Sequence, residues 1–283
     1  MAELIAGKFV SIAPGVRRLL APNPGPFTGP GTNTYILGSN RVAVIDPGPA
    51  STKHVKALLD EVGPNIEWIL TTHTHADHSP AVKLILEEVS QPVEVIGIPA
   101  PQGANQDTTF KPDVIPSHGY CLETDEFTVE AIFTPGHASN HMCYLLREQK
   151  MLITGDHIMQ GSSVIIAPPD GNMSDYMESL DTLFQYDIEA LAPAHGHVMD
   201  QCKAVIEHTK AHRLKRERKV FDLLSTDEGI SLADLTAPVY DDVPVFLHPA
   251  GQLSLKAHLI KFAEQRVAVE KEELWYRVEG VSL

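Results

Sequence analysis

The chain has 283 residues, with 22 Lys and Arg against 37 Asp and Glu, a formal net charge of −15, and 43 % hydrophobic residues. That length allows one large domain and a small one with an ample core. No run approaches the ~20 apolar residues of a membrane span, and three widely spaced cysteines exclude a disulfide scaffold and read as reduced thiols of a cytoplasmic protein. The N-terminus, residues 1–8, lacks the basic start, apolar stretch and small-residue cleavage site of a secretory leader, so export is not expected.

Strand-like runs at 34–37 and 41–45 precede an amphipathic helix over 51–62, opened by Ser51-Thr52 and stopped by Gly63-Pro64. A strand at 66–71 and a helix at 80–89 follow, and the Pro- and Gly-rich residues 97–117 read as an irregular insertion. The alternation from Phe127 to Phe133 predicts a half-buried strand, with further strands at 141–146 and 151–154. A helix at 173–186 and a strand at 188–192 complete a second βα portion. Beyond residue 203 the pattern changes. A long helix over 201–225, a short one after Ser231, a third over 252–265 and a β-wing at 267–269 and 274–278 predict a winged-helix layout. The expected domains are 1–202 and 203–283.

The densest chemistry is His73-Thr74-His75-Ala76-Asp77-His78, directly after the apolar run Trp68-Ile69-Leu70. Neutral imidazole is the commonest side-chain ligand for zinc. In an extended or looped backbone His73 and His75 grip one ion, and Asp77 and His78, past the bend, point toward a second. Packed into a core, each of these polar groups would need its own partner. Three more candidates repeat one grammar of strand, tight turn and ligand: His137 in Thr134-Pro135-Gly136-His137, Asp156 in Thr154-Gly155-Asp156, and His195 in Pro193-Ala194-His195-Gly196. Together they supply five His and two Asp, enough for two ions sharing one carboxylate.

As an ordered set these motifs, with Asp46-Pro47-Gly48 after the strand-like residues 41–45, resemble the metallo-β-lactamase-fold hydrolase superfamily. Gly31-Thr32-Asn33-Thr34-Tyr35, Ala167-Pro168-Pro169-Asp170-Gly171 and Ala211-His212-Arg213 are most similar to its β-lactamase-like-protein-2 branch, which includes ribonuclease-type members. The resemblance implies an α+β fold, a four-layer αβ/βα sandwich with a small C-terminal winged-helix-like domain. It implies two zinc ions per chain, with His73, His75 and His137 holding one, Asp77, His78 and His195 the other, and Asp156 bridging. It also implies a hydrolase whose nucleophile is a metal-bridging hydroxide, zinc lowering the pKa of bound water toward ~7. Asp77 is the catalytic residue expected from this set. Ligand type alone leaves manganese and iron as alternatives.

Three further residues are expected to support the site or meet substrate. His141 matches a recurrent superfamily His, Asn33 lies in a Gly-rich loop expected at the rim, and Asp46 is expected to anchor the ligand loop by accepting backbone N–H bonds. Asp170 and Asn172 are expected to line the pocket. His157 should point away from the site, because neighbours in an extended chain face opposite sides.

Charge separates the substrate classes. Residues 1–202 carry 10 Lys and Arg against 24 Asp and Glu, whereas residues 203–283 carry 12 against 13. A nucleic-acid enzyme normally shows a basic face. The one basic run, Lys210, Arg213, Lys215, Arg216, Arg218 and Lys219, reads as a solvated helix or as a phosphate-contacting patch. The reading is a hydrolase of a small ester, thioester or lactone-like substrate; the alternative is a metal-dependent endoribonuclease acting on single-stranded RNA. Oligomeric state is not legible.

Overall fold

A computed structural model describes residues 3–283. The described residues fall into two compact units, one built from 3–134, 140–164 and 184–203, the other from 135–139, 165–183 and 204–283.

The first unit opens with strands β1 (Phe9–Ala13) and β2 (Val16–Leu20), a hairpin turned at Pro14-Gly15, where Gly15 adopts φ +69°. This hairpin was not expected from the sequence, although Pro-Gly between two apolar runs is a turn signal. β3 (Asn33–Leu37) and β4 (Val42–Ile45) continue antiparallel. Helix α1 (Thr52–Val62), capped by the Ser51 hydroxyl, returns the chain to β5 (Ile66–Leu70), parallel to β4. Helix α2 (Ala81–Glu88) then leads to β6 (Glu94–Ile96), parallel to β5. The sheet order is β1-β2-β3-β4-β5-β6. Residues 97–117 are irregular, as expected, apart from a bridge of Val114 to Ile96.

A second sheet, ordered β11-β10-β9-β8-β7, contains β7 (Cys121–Glu123), β8 (Thr128–Phe133), β9 (Met142–Leu146), β10 (Met151–Gly155) and β11 (Ala190–Pro193). Only its β10–β11 pair is parallel. One core joins the two sheets face to face, Tyr35, Ile45 and Leu70 from the first packing with Met142, Tyr144 and Ile153 from the second. The other face of the first sheet buries Ile36, Val44 and Ile69 against Val55, Leu58, Val82 and Ile85 of α1 and α2. This is the α+β sandwich the motifs implied.

The parallel pairs position the site. Parallel neighbours end on the same edge, so residues after β4 and β5 emerge together, and so do those after β10 and β11. The Tyr35 hydroxyl donates to Pro193 O at 2.7 Å and the Tyr144 hydroxyl to Thr71 O at 2.9 Å, stitching the sheets beside that edge.

In the second unit, helix α3 (Met173–Thr182) is capped by Asn172, whose side chain accepts from Ser174 N and Asp175 N. Asn172 therefore starts a helix, a local role that the expectation of a pocket residue missed. α4 (Cys202–Leu223), α5 (Leu232–Val239) and α6 (His248–Glu264) follow, with β12 (Ile230–Ser231), β13 (Ala268–Lys271) and β14 (Leu274–Arg277) in the order β12-β14-β13. Phe221, Leu235, Leu255, Phe262 and Trp275 form its core. No helix among the described residues is long and apolar enough to cross a membrane.

Candidate metal centre

Four turns of the first unit deliver the polar groups. Asp46 follows β4, His73 to His78 follow β5, Asp156 follows β10 and His195 follows β11. His73, His78, Asp156 and His195 are buried, with exposures of 0, 0, 8 and 6 %. Ligand atoms of His73, His78 and Asp156 lie within 4.8 Å of one another, as do those of Asp77, His78 and His195. His73 Nε2 meets His75 Nδ1 at 2.8 Å.

The rings are held by their other nitrogen. Thr72 donates its hydroxyl to Asp46 Oδ2 at 2.7 Å, so toward His73 Nδ1, 3.1 Å away, its oxygen accepts. His78 Nδ1 lies 2.9 Å from the same Asp46 oxygen, and His195 Nδ1 lies 3.2 Å from Gly31 O. Each Nδ1–H is thereby committed, so Nε2 is the nitrogen turned toward the site, the one a metal ion would take in exchange for its proton, and outer partners of this kind orient metal-ligating imidazoles. His137 stands on the 135–139 turn, a segment of the second unit, and its Nδ1 donates to Ile165 O at 2.6 Å in the same pattern. Asp46 also accepts Thr72 N at 2.7 Å and adopts φ +50°. It braces the ligand loop through a backbone N–H, a hydroxyl and a ring at once.

Electrostatics ask for a cation here. Burial alone depresses His78, yet Asp77, Asp46 and Asp156 outweigh it and hold the ring well above its ordinary value. His195, likewise buried, is pushed up to about 10 by Asp156 and Asp77. Burial lifts the Asp156 and Asp77 carboxyls, but His195 and His78 draw both below the ordinary carboxylate range. His73 goes the other way, held well below its usual value by burial and by His78 and His75. His78 Nε2 is buried and makes no well-aligned hydrogen bond among the described residues, facing Asp77 Oδ2 at 3.5 Å and Asp156 Oδ2 at 3.7 Å. A buried imidazole nitrogen facing two ionised carboxylates is a donor set that a divalent cation satisfies. The residues present fit a metal ion.

The supporting residues sit as follows. His141 is buried; its Nε2 accepts Asp156 N at 3.2 Å and its Nδ1 faces the Thr134 hydroxyl at 2.9 Å, so it steadies the Asp156 backbone. Gly155, at φ +49°, lets this ring approach: a Cβ there would lie 2.7 Å from His141 Nε2 and 2.6 Å from Thr72 Oγ1. Asn33 corrects the expectation of a rim residue. It is fully buried and donates to Pro193 O and Gly196 O, both at 2.9 Å, clamping the turn that carries His195. β3 pairing directs this side chain inward, which loop composition did not reveal. Replacing Asn33 by Leu leaves the Gly196 carbonyl without that donor and should cost about 2 kcal/mol, measured as a lower urea midpoint at unchanged slope; an unchanged midpoint would show that the clamp is not stabilising. His157 is buried beside Asp156. Asp170, on the second unit, accepts from Ser139 N and Oγ.

Four of the six residues of the basic run are engaged by ion pairs and packing within the second unit, while Lys215 and Arg218 are exposed. Lys210 pairs with Asp181 and Lys219 with Asp241. Arg216, 7 % exposed, grips Asp242 at 2.7 Å and the Val239 carbonyl, and Arg213, 4 % exposed, stacks over Tyr176 at 5.1 Å. Asp181, Asp241 and Asp242 lie more than 20 residues away along the chain, so the pairing is invisible to a local reading.

Comparison with known proteins follows this geometry. Residues 27–195 match the family model described as the metallo-beta-lactamase superfamily, and residues 231–275 match the beta-lactamase associated winged helix domain. The chain is 31 % identical over 262 residues to a beta-lactamase-like protein 2 homolog of Caenorhabditis elegans, covering 90 % of this chain and 86 % of that one. It is 30 % identical over 244 residues to an atrochrysone carboxyl ACP thioesterase of Aspergillus chevalieri, covering 82 % and 75 %. A crystal structure of a beta-lactamase domain protein from Burkholderia ambifaria superposes with a TM-score of 0.81 over 98 % of this chain and 97 % of that one, at 18 % identity, a likeness of fold. The chain belongs to the metallo-beta-lactamase superfamily, in the company of the beta-lactamase-like protein 2 homologs, and carries the winged helix domain associated with them.

Proposed function

We propose that this protein is a binuclear zinc hydrolase of acyl substrates, thioesters first among them, working in a reducing, cytoplasmic setting. Residues 1–202 form its catalytic domain and 203–283 its winged-helix-like domain in this reading. His73, His75 and His137 hold one ion, Asp77, His78 and His195 the other, and Asp156 is shared. The observation that carries it is the buried His78 Nε2, set between two ionised carboxylates with its opposite nitrogen fixed by Asp46.

When bound, the two ions polarise the scissile carbonyl and lower the pKa of water toward ~7. The chain's own residues orient the site. Asp46, Thr72 and Gly31 fix three rings with Nε2 outward, and His141 holds the Asp156 backbone. Asp77, whose side chain is 24 % exposed, is the carboxylate nearest solvent and the one a substrate approaches.

Three observations favour an acyl substrate over RNA. The acidic balance of residues 1–202 repels a polyanion from solution. Four residues of the basic run, Lys210, Arg213, Arg216 and Lys219, are tied to Asp181, the Tyr176 ring, Asp242 and Asp241. A relative at 30 % identity is named a thioesterase. Purified, zinc-loaded protein is assayed against acyl thioesters, aryl esters, lactones and labelled single-stranded RNA. Thioester or ester turnover abolished by chelation is expected; metal-dependent RNA cleavage at physiological salt with no acyl turnover would overturn the reading.

A further inference from the structure

The loop joining β2 to β3 closes on itself. Ala21 N donates to Thr32 O at 2.8 Å, and Gly31, at φ +144°, lets the strands meet: a Cβ at 31 would lie 2.1 Å from Ala21 O. Inside this clasp Asn23 takes both ends of residue 32. Its Oδ1 accepts Thr32 N at 2.9 Å, and its Nδ2 donates to Thr32 Oγ1 at 2.8 Å. The backbone N–H can only donate, so the amide oxygen must face it, and the amide nitrogen must face the hydroxyl. The Thr32 oxygen thus accepts from Asn23, and its own hydrogen has one direction left. It donates to Asp77 Oδ2 at 2.8 Å. The Asn23 main chain is itself held, its carbonyl accepting the Thr28 hydroxyl at 2.6 Å.

The next residue back serves the same corner. Gly31 O meets His195 Nδ1 at 3.2 Å, while His195 Nε2 lies 3.3 Å from Asp77 Oδ2. One dipeptide, Gly31-Thr32, therefore fixes both a ring and a carboxylate that face each other. Thr32 is fully buried, whereas Asp77 is partly open to solvent. A half-open carboxylate otherwise swings about its terminal torsion, which has a broad energy profile.

We propose that Asn23 and Thr32 form a positioning relay that sets the rotation of the Asp77 carboxylate for the ion it shares with His78 and His195. This rests on the binuclear reading above. Neither residue touches substrate; both act through Asp77. The relay is directional, because the amide donor at 23 turns the hydroxyl proton toward residue 77.

The test is zinc affinity, read without any substrate. Wild type, Thr32→Val, Thr32→Ser and Asn23→Ala are stripped, checked for folding by thermal melting of the metal-free chain, and titrated with zinc against a chromogenic chelator. Wild type taking fewer than two ions would end the binuclear reading itself, a result obtained before any variant is compared. With two ions bound, Thr32→Val should weaken one of them about 10- to 100-fold, the range for loss of an outer hydrogen-bond partner, and leave the other unchanged. Thr32→Ser, which keeps the hydroxyl, should stay within about threefold of wild type, and Asn23→Ala should fall between the two. Native affinity for both ions in Thr32→Val overturns the relay, as does a Thr32→Ser variant as weak as Thr32→Val, which would assign the effect to the lost methyl. Should Thr32→Val not fold, Asn23→Ala decides: weakened binding of one ion supports the relay, and wild-type affinity for both overturns it.

Discussion

An Asp156→Ala variant should purify with at most one metal ion per chain and lose hydrolysis on the order of a thousandfold. Loss of an outer hydrogen-bond partner alone costs about 10–100-fold in metal affinity or activity. Asp156 stands closer than that, as the carboxylate grouped with His73 and His78 and 3.3 Å from His195 Nε2. Removing it takes one negative charge from a pocket where His78 and His195 are both biased toward the cationic form. An incoming dication then meets one negative charge fewer beside the same rings. Elemental analysis after zinc loading reads the first effect and turnover reads the second. A variant that keeps two ions and near-native turnover would remove Asp156 from the centre, and with it the idea of a shared carboxylate.

The second large effect lies far along the sequence. Replacing Lys261 by Met should destabilise the second unit by about 3–5 kcal/mol at neutral pH, the usual consequence of breaking a buried ion pair by removing one partner. Glu217 is 3 % exposed; its Oε1 accepts from Lys261 Nζ at 2.5 Å and lies 3.4 Å from His258 Nδ1. Burial lifts the Glu217 carboxyl, but His258 and Lys261 outweigh it and leave it below its ordinary value. A carboxyl depressed by folding stabilises above its unfolded pKa and loses that contribution as pH falls through the folded value. In the variant one of the two groups that held it down is gone and His258 alone opposes burial, so Glu217 takes up a proton at higher pH than before. The stability gap between wild type and Lys261→Met should therefore be widest near pH 7 and narrow toward pH 4. Denaturant unfolding at both pH values measures it. A gap that does not change with pH would show that lost packing of the lysine stem, and no orphaned charge, is responsible.

These residues also show what a sequence conceals. The cluster from His73 to His78 is legible because its chemistry is packed into six consecutive positions after an apolar strand, and the turns before His137, Asp156 and His195 repeat one visible grammar. The strand–helix alternation between residues 41 and 96 is legible for a similar reason, since α1 and α2 bury regular apolar stripes on the first sheet. What fixes the ligands is less visible. The hold of Asp46 on the backbone of the loop, with Thr72 N donating to it, is legible, but its bond to the His78 ring and that of Gly31 O to His195 arise only once the strands end on one edge. Asn33 reads as a loop residue until β-pairing turns it inward. Asn23 and Thr32 lie in a Pro-Gly-rich stretch that looks like a plain connection. The run from Lys210 to Lys219 reads as a solvated helix or a phosphate-contacting patch because the acidic partners of Lys210, Arg216 and Lys219 are contributed by other elements. Local pattern reveals which groups are present; topology decides which are already engaged.

The delivery of His73 to His78 by one sheet, and of Asp156 and His195 by the other, has a mechanical consequence. A cation gripped by both groups is a cross-link that closes a loop of about 80 residues, comparable to a reversible staple between two halves of a clam. Under the proposed function, chelation would do more than stop turnover: it would loosen the sheets at the edge where the Tyr35 and Tyr144 hydroxyls hold them. Amide protons of β4, β5, β10 and β11 would lose exchange protection together on metal removal, and proteases would find β-strand ends that the loaded protein keeps shut.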